Sequence, residues 1–174
     1  SIYPDNTTGN PDPDAVKDDD RPVKVNNIRV NEASPYAVFT VSGAAGQTVS
    51  LGLVTGTATS GTDYSSSIYY LSGGNWTPYT GSFNLGGTGS TLVRVAVMND
   101  GTALNNGPYE GAESFGLKAT NTGGGSTTGT ATILDDGTGN YYPDNTTGAT
   151  DNSASLDKDV AVAVTSYSPV NEAS

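Results

Sequence analysis

Cysteine and histidine are both absent from the 174-residue chain, and methionine and tryptophan occur once each. Those absences exclude Ser-His-Asp and Cys-His nucleophiles, thiolate zinc sites, histidine-ligated haem and disulfide staples. Basic residues are also scarce, seven against eighteen acidic ones, for a net charge of -11. Such a surface repels nucleic acid and anionic membranes, so neither is an expected partner, and cations are the natural ones. No run approaches the roughly 18 apolar residues of a membrane span. The first residues, Ser1-Ile2-Tyr3-Pro4-Asp5, carry neither an initiator methionine nor a secretion signal and read as the interior of a longer polypeptide. Without cysteine, bound metal ions are the remaining inexpensive way to stiffen a chain of this kind.

What is abundant is glycine, 23 residues, with many Ser, Thr and Asn, while hydrophobic residues make up only 34%. This composition suits short strands joined by many turns. A repeat is visible before any element is assigned. Tyr-Pro-Asp-Asn-Thr-Thr-Gly occupies 3–9 and again 142–148, an offset of 142 − 3 = 139. Val-Asn-Glu-Ala-Ser occupies 30–34 and again 170–174, an offset of 170 − 30 = 140. The expectation is a tandem array of imperfect copies, divided here into a linker at 1–26, a domain at 27–137, a linker at 138–160 and the first strand of a next copy at 161–174. The Pro, Asp, Asn, Thr and Gly of both linkers predict extended or turn-rich backbone that buries little surface.

Period-2 patterning marks the strands. The first is expected at 23–30 and the second at 36–41, and Val49, Leu51 and Leu53 alternate in the third. A fourth, closing at 82–85, is elaborated by a hairpin of 68–71 and 76–79 around Ser72-Gly73-Gly74-Asn75. Val93, Val95 and Val97 mark the fifth, Phe115, Leu117 and Ala119 the sixth, and Ala131 and Ile133 the seventh. About seven short strands with an inserted hairpin, and no helical periodicity, predict an all-β, immunoglobulin-like antiparallel sandwich.

The domain 27–137 holds seven acids: Glu32, Asp63, Asp100, Glu110, Glu113, Asp135 and Asp136. If each strand reverses the last, all seven fall in connections at one end, and the connections at the other end carry none. Only Arg29, Arg94 and Lys118 are available as bases in the domain. So many like charges on one cap repel one another unless neutralised. Ca²⁺ takes six to eight oxygen ligands from flexible loops, whereas Mg²⁺ prefers a stricter octahedron, so calcium is the expected ion.

The same residues resemble the Calx-β family, known from sodium–calcium exchangers and from tandem repeats of bacterial surface proteins. The resemblance rests on Val30-Asn31-Glu32, the stretch 56–64 (Gly-Thr-Ala-Thr-Ser-Gly-Thr-Asp-Tyr), Asn99-Asp100, 110–115 (Glu-Gly-Ala-Glu-Ser-Phe) and 131–137 (Ala-Thr-Ile-Leu-Asp-Asp-Gly). It implies several calcium ions bound by loops at one end of the sandwich, with ligand roles for the seven acids. Nine residues lie between Asp100 and Glu110 and acids are sparse there, so the number of ions stays open; the connection 65–79 is longer than the family's usual one, so the hairpin is a local addition.

Two further groups draw attention. Asp12, Asp14, Asp18, Asp19 and Asp20 precede the first strand and would meet the acidic end of a preceding copy, as an interdomain calcium site or as a solvated linker. Tyr69, Tyr70, Trp76 and Tyr79 offer either a contact surface for a glycan or neighbouring domain, or cross-strand packing within the hairpin. Glu110 and Glu113 alone make no catalytic constellation, so an enzyme is not expected. The sequence therefore predicts a calcium-stiffened structural repeat of an extracellular bacterial surface fibre or adhesin. Its partners would be neighbouring repeats and other copies in a filament. The alternatives are an adhesive module and a calcium sensor.

Overall fold

The computed structural model describes residues 1–15, 17–101 and 107–159, and the strand expected at 161–174 lies outside them. The described residues form ten strands and no helix. In chain order these are β1 (Lys24–Val25), β2 (Ile28–Asn31), β3 (Tyr36–Ser42), β4 (Thr48–Thr55), β5 (Tyr64–Ser72), β6 (Asn75–Pro78), β7 (Phe83–Asn84), β8 (Ser90–Val97), β9 (Glu113–Asn121) and β10 (Ser126–Leu134). One sheet runs β1-β3-β8-β5-β6 and the other β2-β10-β9-β4-β7. The chain is an immunoglobulin-like β-sandwich.

Alternation supplies the core. Val93 and Val95 of β8, Ala37, Phe39 and Val41 of β3, and Phe115, Leu117 and Ala119 of β9 point inward and are buried. Phe115 anchors the centre, stacked on Tyr64 at 4.1 Å between ring centroids and edge-on to Phe39 at 6.0 Å. The hairpin forms as expected, with Ser72 paired to Asn75 across a two-residue turn. Gly73 and Gly74 supply the positive φ, 56° and 81°, that such a turn needs.

The expected first strand is divided between the sheets. Lys24 and Val25 pair antiparallel with Ser42 and Val41, whereas Ile28–Asn31 pairs parallel with β10. The apolar positions explain the switch. Val23 and Val25 share one phase and Ile28 and Val30 the opposite one, so the chain must turn over at Asn26-Asn27 to bury both pairs. The expected fourth strand likewise becomes three, because β7 leaves the hairpin's sheet to pair with β4.

Residues 138–159, expected as a linker burying little surface, lie along the sandwich as a strap. Tyr142 bridges to Tyr36, its amide donates to Ser34 Oγ at 2.9 Å, and it is buried with the core. Farther on, Asp157 is fully buried. Asn31, also fully buried, joins the two ends of this strap. Its Nδ2 donates to Thr138 O and to Asp157 O, each at 2.9 Å, and its Oδ1 accepts from the Asp157 amide at 2.6 Å.

Candidate metal centre

Strand direction delivers the acids to one end of the sandwich. Glu32 follows β2, Asp63 precedes β5, Asp100 follows β8, Glu110 precedes β9, Glu113 opens it, and Asp135 follows β10. Asp63, Glu110 and Glu113 each offer a carboxylate oxygen within 4.8 Å of the others. Glu32, Asp100 and Asp159 form a second trio within the same limit. Glu32, Asp63, Glu110, Glu113 and Asp135 line one pit, together with Gly111 and Ile133. Among the described residues no basic side chain lines it.

Backbone amides fix several of these groups. Asp135 Oδ2 accepts from the amides of Glu110 at 2.7 Å and Gly111 at 3.2 Å. Thr59 N donates to Asp63 Oδ2, Asp100 N to Glu32 Oε1, and Gly107 N to Asp159 Oδ2. Asp135 Oδ1 has no partner among the described residues, although only 3% of the residue is exposed. A buried carboxylate oxygen without a donor costs about 1–3 kcal/mol or more. Within 4.8 Å, two unit charges repel by about 3 kcal/mol even at an effective dielectric near 20. An arrangement of carboxylates alone, with one buried oxygen left over, fits a hard oxygen-seeking cation such as Ca²⁺.

Protons partly relieve the repulsion. Burial pushes Glu32 up to about 7, with Asp100 and Asp157 adding repulsion. Burial also lifts Glu113 to about 7, reinforced by its hydrogen bond with Asp63. Glu110 and Asp159 are raised too, first by burial and then by neighbouring carboxylates, with backbone donation from Gly107 opposing the rise at Asp159. Raised folded-state values mean that, between the ordinary 4.5 and about 7, the folded chain holds protons that the unfolded chain has released. This contribution is complete below that window and is lost as pH rises through it. Metal-free protein is therefore expected to melt lower at about pH 8 than at about pH 5. Calorimetry in chelator across this range checks the sign, and a melting temperature that climbs steadily to pH 8 would refute it. In acid the opposite groups dominate. Arg21 holds Asp19 down at about 2, and hydrogen bonds from Thr138 and Ser153 lower Asp136 and Asp151.

Not every expected residue joins the pit. Asp136 stands apart from both trios, its Oδ1 accepting from the Thr138 amide and hydroxyl. Asp159, expected only as a linker acid, completes a trio, and Asp157 accepts from Asn99 Nδ2 beside it. Its signal in the sequence was the repeat itself, since 159 − 20 = 139 places Asp159 in register with Asp20 of the Asp run. Asp18, Asp19 and Asp20 of that run lie at the other end of the sandwich. Asp18 and Asp20 approach Gly123 in the β9–β10 turn, and Asp19 forms a two-pronged ion pair with Arg21.

The hairpin aromatics have partners within the chain. Tyr70 stacks on Phe83 at 4.7 Å, and the Tyr79 hydroxyl accepts from Leu51 N. Trp76 Nε1 donates to Asn145 O of the strap. The Arg94 guanidinium lies over Tyr36 at 3.9 Å, Trp76 at 4.4 Å and Tyr69 at 5.8 Å, and reaches Asp144.

No family model matches the chain, and no curated protein does. Among solved structures it is similar to the E. coli chaperone DraB, at 12% identity and a TM-score of 0.42 over 66% of this chain and 54% of that one. It is also similar to the Pseudomonas aeruginosa CupB2 chaperone, at 10% identity and a TM-score of 0.39 over 62% of this chain and 52% of that one. A C. elegans MSP family member aligns at 5% identity and a TM-score of 0.37, over 64% of this chain and 97% of its own. The chain thus spans about half the length of the two chaperones. At these identities neither activity nor partner carries over.

Proposed function

We propose that this chain is a calcium-binding structural repeat of an extracellular bacterial surface fibre or adhesin, with the ions fixing the loops and strap at one end of the sandwich. The observation that carries the reading is Asp135 Oδ1, a buried carboxylate oxygen without a partner in a pit walled by carboxylates. Asp63, Glu110, Glu113 and Asp135 would hold one ion, and Glu32, Asp100 and Asp159 a second. Bound there, Ca²⁺ would supply the positive charge that the domain's three bases do not bring to the pit. The resemblance to Calx-β repeats supports the same reading, as do the internally repeated strings and the absence of cysteine.

The ligands come from three separate connections, from the end of β10 and from the strap. Neutralising them therefore ties 32, 63, 100, 110–113, 135 and 159 together and fixes the direction in which the chain leaves the sandwich. The role proposed is structural and non-enzymatic. An adhesive role has less support, because the hairpin aromatics it relies on are engaged by the strap and by Arg94.

Calcium titration with thermal melting tests the proposal. A ligand at 100 times its dissociation constant stabilises by about 2.7 kcal/mol. At roughly 2–4 °C per kcal/mol, that is a rise of about 5–10 °C per ion. Identical melting curves in millimolar calcium and in excess EDTA would sink it.

A further inference from the structure

The two copies of the repeated string have the same fold but different surroundings. In residues 2–14, the Asp12 amide donates to Ile2 O at 2.8 Å, and in 141–153 the Asp151 amide donates to Tyr141 O at 2.8 Å. Asn6 Oδ1 accepts from the amides of Thr8 and Gly9, both at 3.0 Å. Asn145 Oδ1 accepts from Thr147 and Gly148 at 3.1 and 3.0 Å. Both glycines have φ of 68°. Asp12 Oδ1 accepts from the Asp14 amide as Asp151 Oδ1 does from that of Ser153. This is one pinched loop, made twice at an offset of 139.

The second loop is docked. Its Tyr142 is 8% exposed against Ser34 and Tyr36, Asp144 meets Arg94, Asn145 O meets Trp76, and Gly148 lies close to Leu92. The first loop carries the same groups, Tyr3, Asp5, Asn6 and Gly9, in the same conformation, yet Tyr3 is 67% exposed. Along these 174 residues a sandwich precedes the loop 141–153, and none precedes the loop 2–14.

From this we infer that residues 2–14 are a preformed docking element for the β-sandwich of a second copy of this chain, the copy that precedes it in an array. The loop seats on that copy's Ser34, Tyr36, Trp76, Leu92 and Arg94 as 141–153 seats here. All four anchoring residues are identical between the loops, so the receptor needs no adjustment. The register then continues past the loop, since 157 − 18 = 139 and 159 − 20 = 139. Asp18 and Asp20 take the positions of Asp157 and Asp159, so Asp20 joins Glu32 and Asp100 of the preceding copy. The inference rests on the tandem-repeat reading, but docking through Tyr3, Asp5 and Asn6 is independent of any metal ion.

The test uses Trp76, the chain's one tryptophan, whose indole lies under the docked loop. In the full chain, Tyr141→Ile, Ala149→Asn and Thr150→Pro together convert 141–151 into the sequence of 2–12. Tyr142→Ala serves as the undocked reference, with red-shifted Trp76 emission. The triple variant is expected to keep the unshifted emission and the melting temperature of the parent. A red shift equal to that of Tyr142→Ala overturns the inference. A second protein places residues 1–139 directly before the full chain and carries Trp76→Phe in the second sandwich, so that its one tryptophan reports on the loop 2–14 at the junction. Parent-like emission supports docking on a preceding copy, and the red-shifted spectrum refutes it. Running both in calcium and in EDTA separates the two readings: a melting temperature indifferent to calcium removes the metal proposal, while Trp76 still reports whether the loop is seated.

Discussion

Replacing Asp135 with Asn is expected to abolish most of the rise in melting temperature contributed by one of the two calcium ions, while leaving the metal-free protein as stable as before, or more so. Most substitutions at a 3%-exposed residue destabilise, so the sign is informative. Asn keeps an oxygen to accept from the amides of Glu110 and Gly111. In place of the unpartnered Oδ1 it offers an NH₂ group, which can donate to the surrounding carboxylates. One negative charge leaves the pit, and with it the repulsion that Asp135 adds at Glu110 and Glu113. Calcium, in contrast, loses a charged ligand of the ion held with Asp63, Glu110 and Glu113. Of the rise of about 5–10 °C expected from that ion, less than about 2 °C should survive at millimolar calcium, while the rise from the ion at Glu32, Asp100 and Asp159 remains. The comparison needs melts of parent and variant, each with calcium and with EDTA. A variant that responds to calcium like the parent would move the site away from Asp135. One destabilised equally in both conditions would make Asp135 a purely structural residue.

Asn31→Ala is expected to be the most damaging single change, lowering stability by about 3–4 kcal/mol. On this chain length that corresponds to a melting temperature lower by roughly 10 °C. The Asn31 side chain satisfies four backbone groups at once: Thr138 O, Asp157 O, and the amides of Ala33 and Asp157. Alanine leaves them buried without partners and frees the strap at both ends. Asp159 then loses its position beside Glu32 and Asp100, so calcium affinity should fall as well. Calorimetry and limited proteolysis read the two effects, with cleavage expected to begin within 138–159. A variant that melts within a degree or two of the parent and resists protease there would show that the strap is held by something other than Asn31.

The sandwich was legible because its strands obey alternation with few interruptions. Val93, Val95 and Val97, or Phe115, Leu117 and Ala119, can bury one face only as strands. Counting reversals then sufficed to bring Glu32, Asp63, Asp100, Glu110, Glu113 and Asp135 to one end, before any packing was known. Two features escaped. The division of the first strand was written in the change of phase between Val25 and Ile28, a single slipped residue that is easily read as imperfect alternation. The strap escaped for a different reason. Its residues are polar and turn-forming, and composition assigns such residues to solvent. What holds them is backbone hydrogen bonding to one buried amide side chain, Asn31, whose partners lie 107 and 126 residues away. No local pattern encodes so distant a contact. Asp157 and Asp159 read as linker acids, the counterpart of Asp18 and Asp20 in the repeat, and not as neighbours of Glu32 and Asp100.

The parallel pairing of β2 with β10 has a consequence under load. Ile28–Asn31 lies alongside Ala131–Leu134 with both strands running the same way. Tension applied through the two ends of the domain draws β2 back along its own axis and β10 forward along its own. The hydrogen bonds between them are then strained together, sideways, and cannot open one after another as in a zipper. β1, paired to β3 through only Lys24 and Val25, peels first and gives a short extension. Behind it, the β2–β10 ladder and the Asn31 clasp carry the pull as one unit, and the domain yields abruptly when they part.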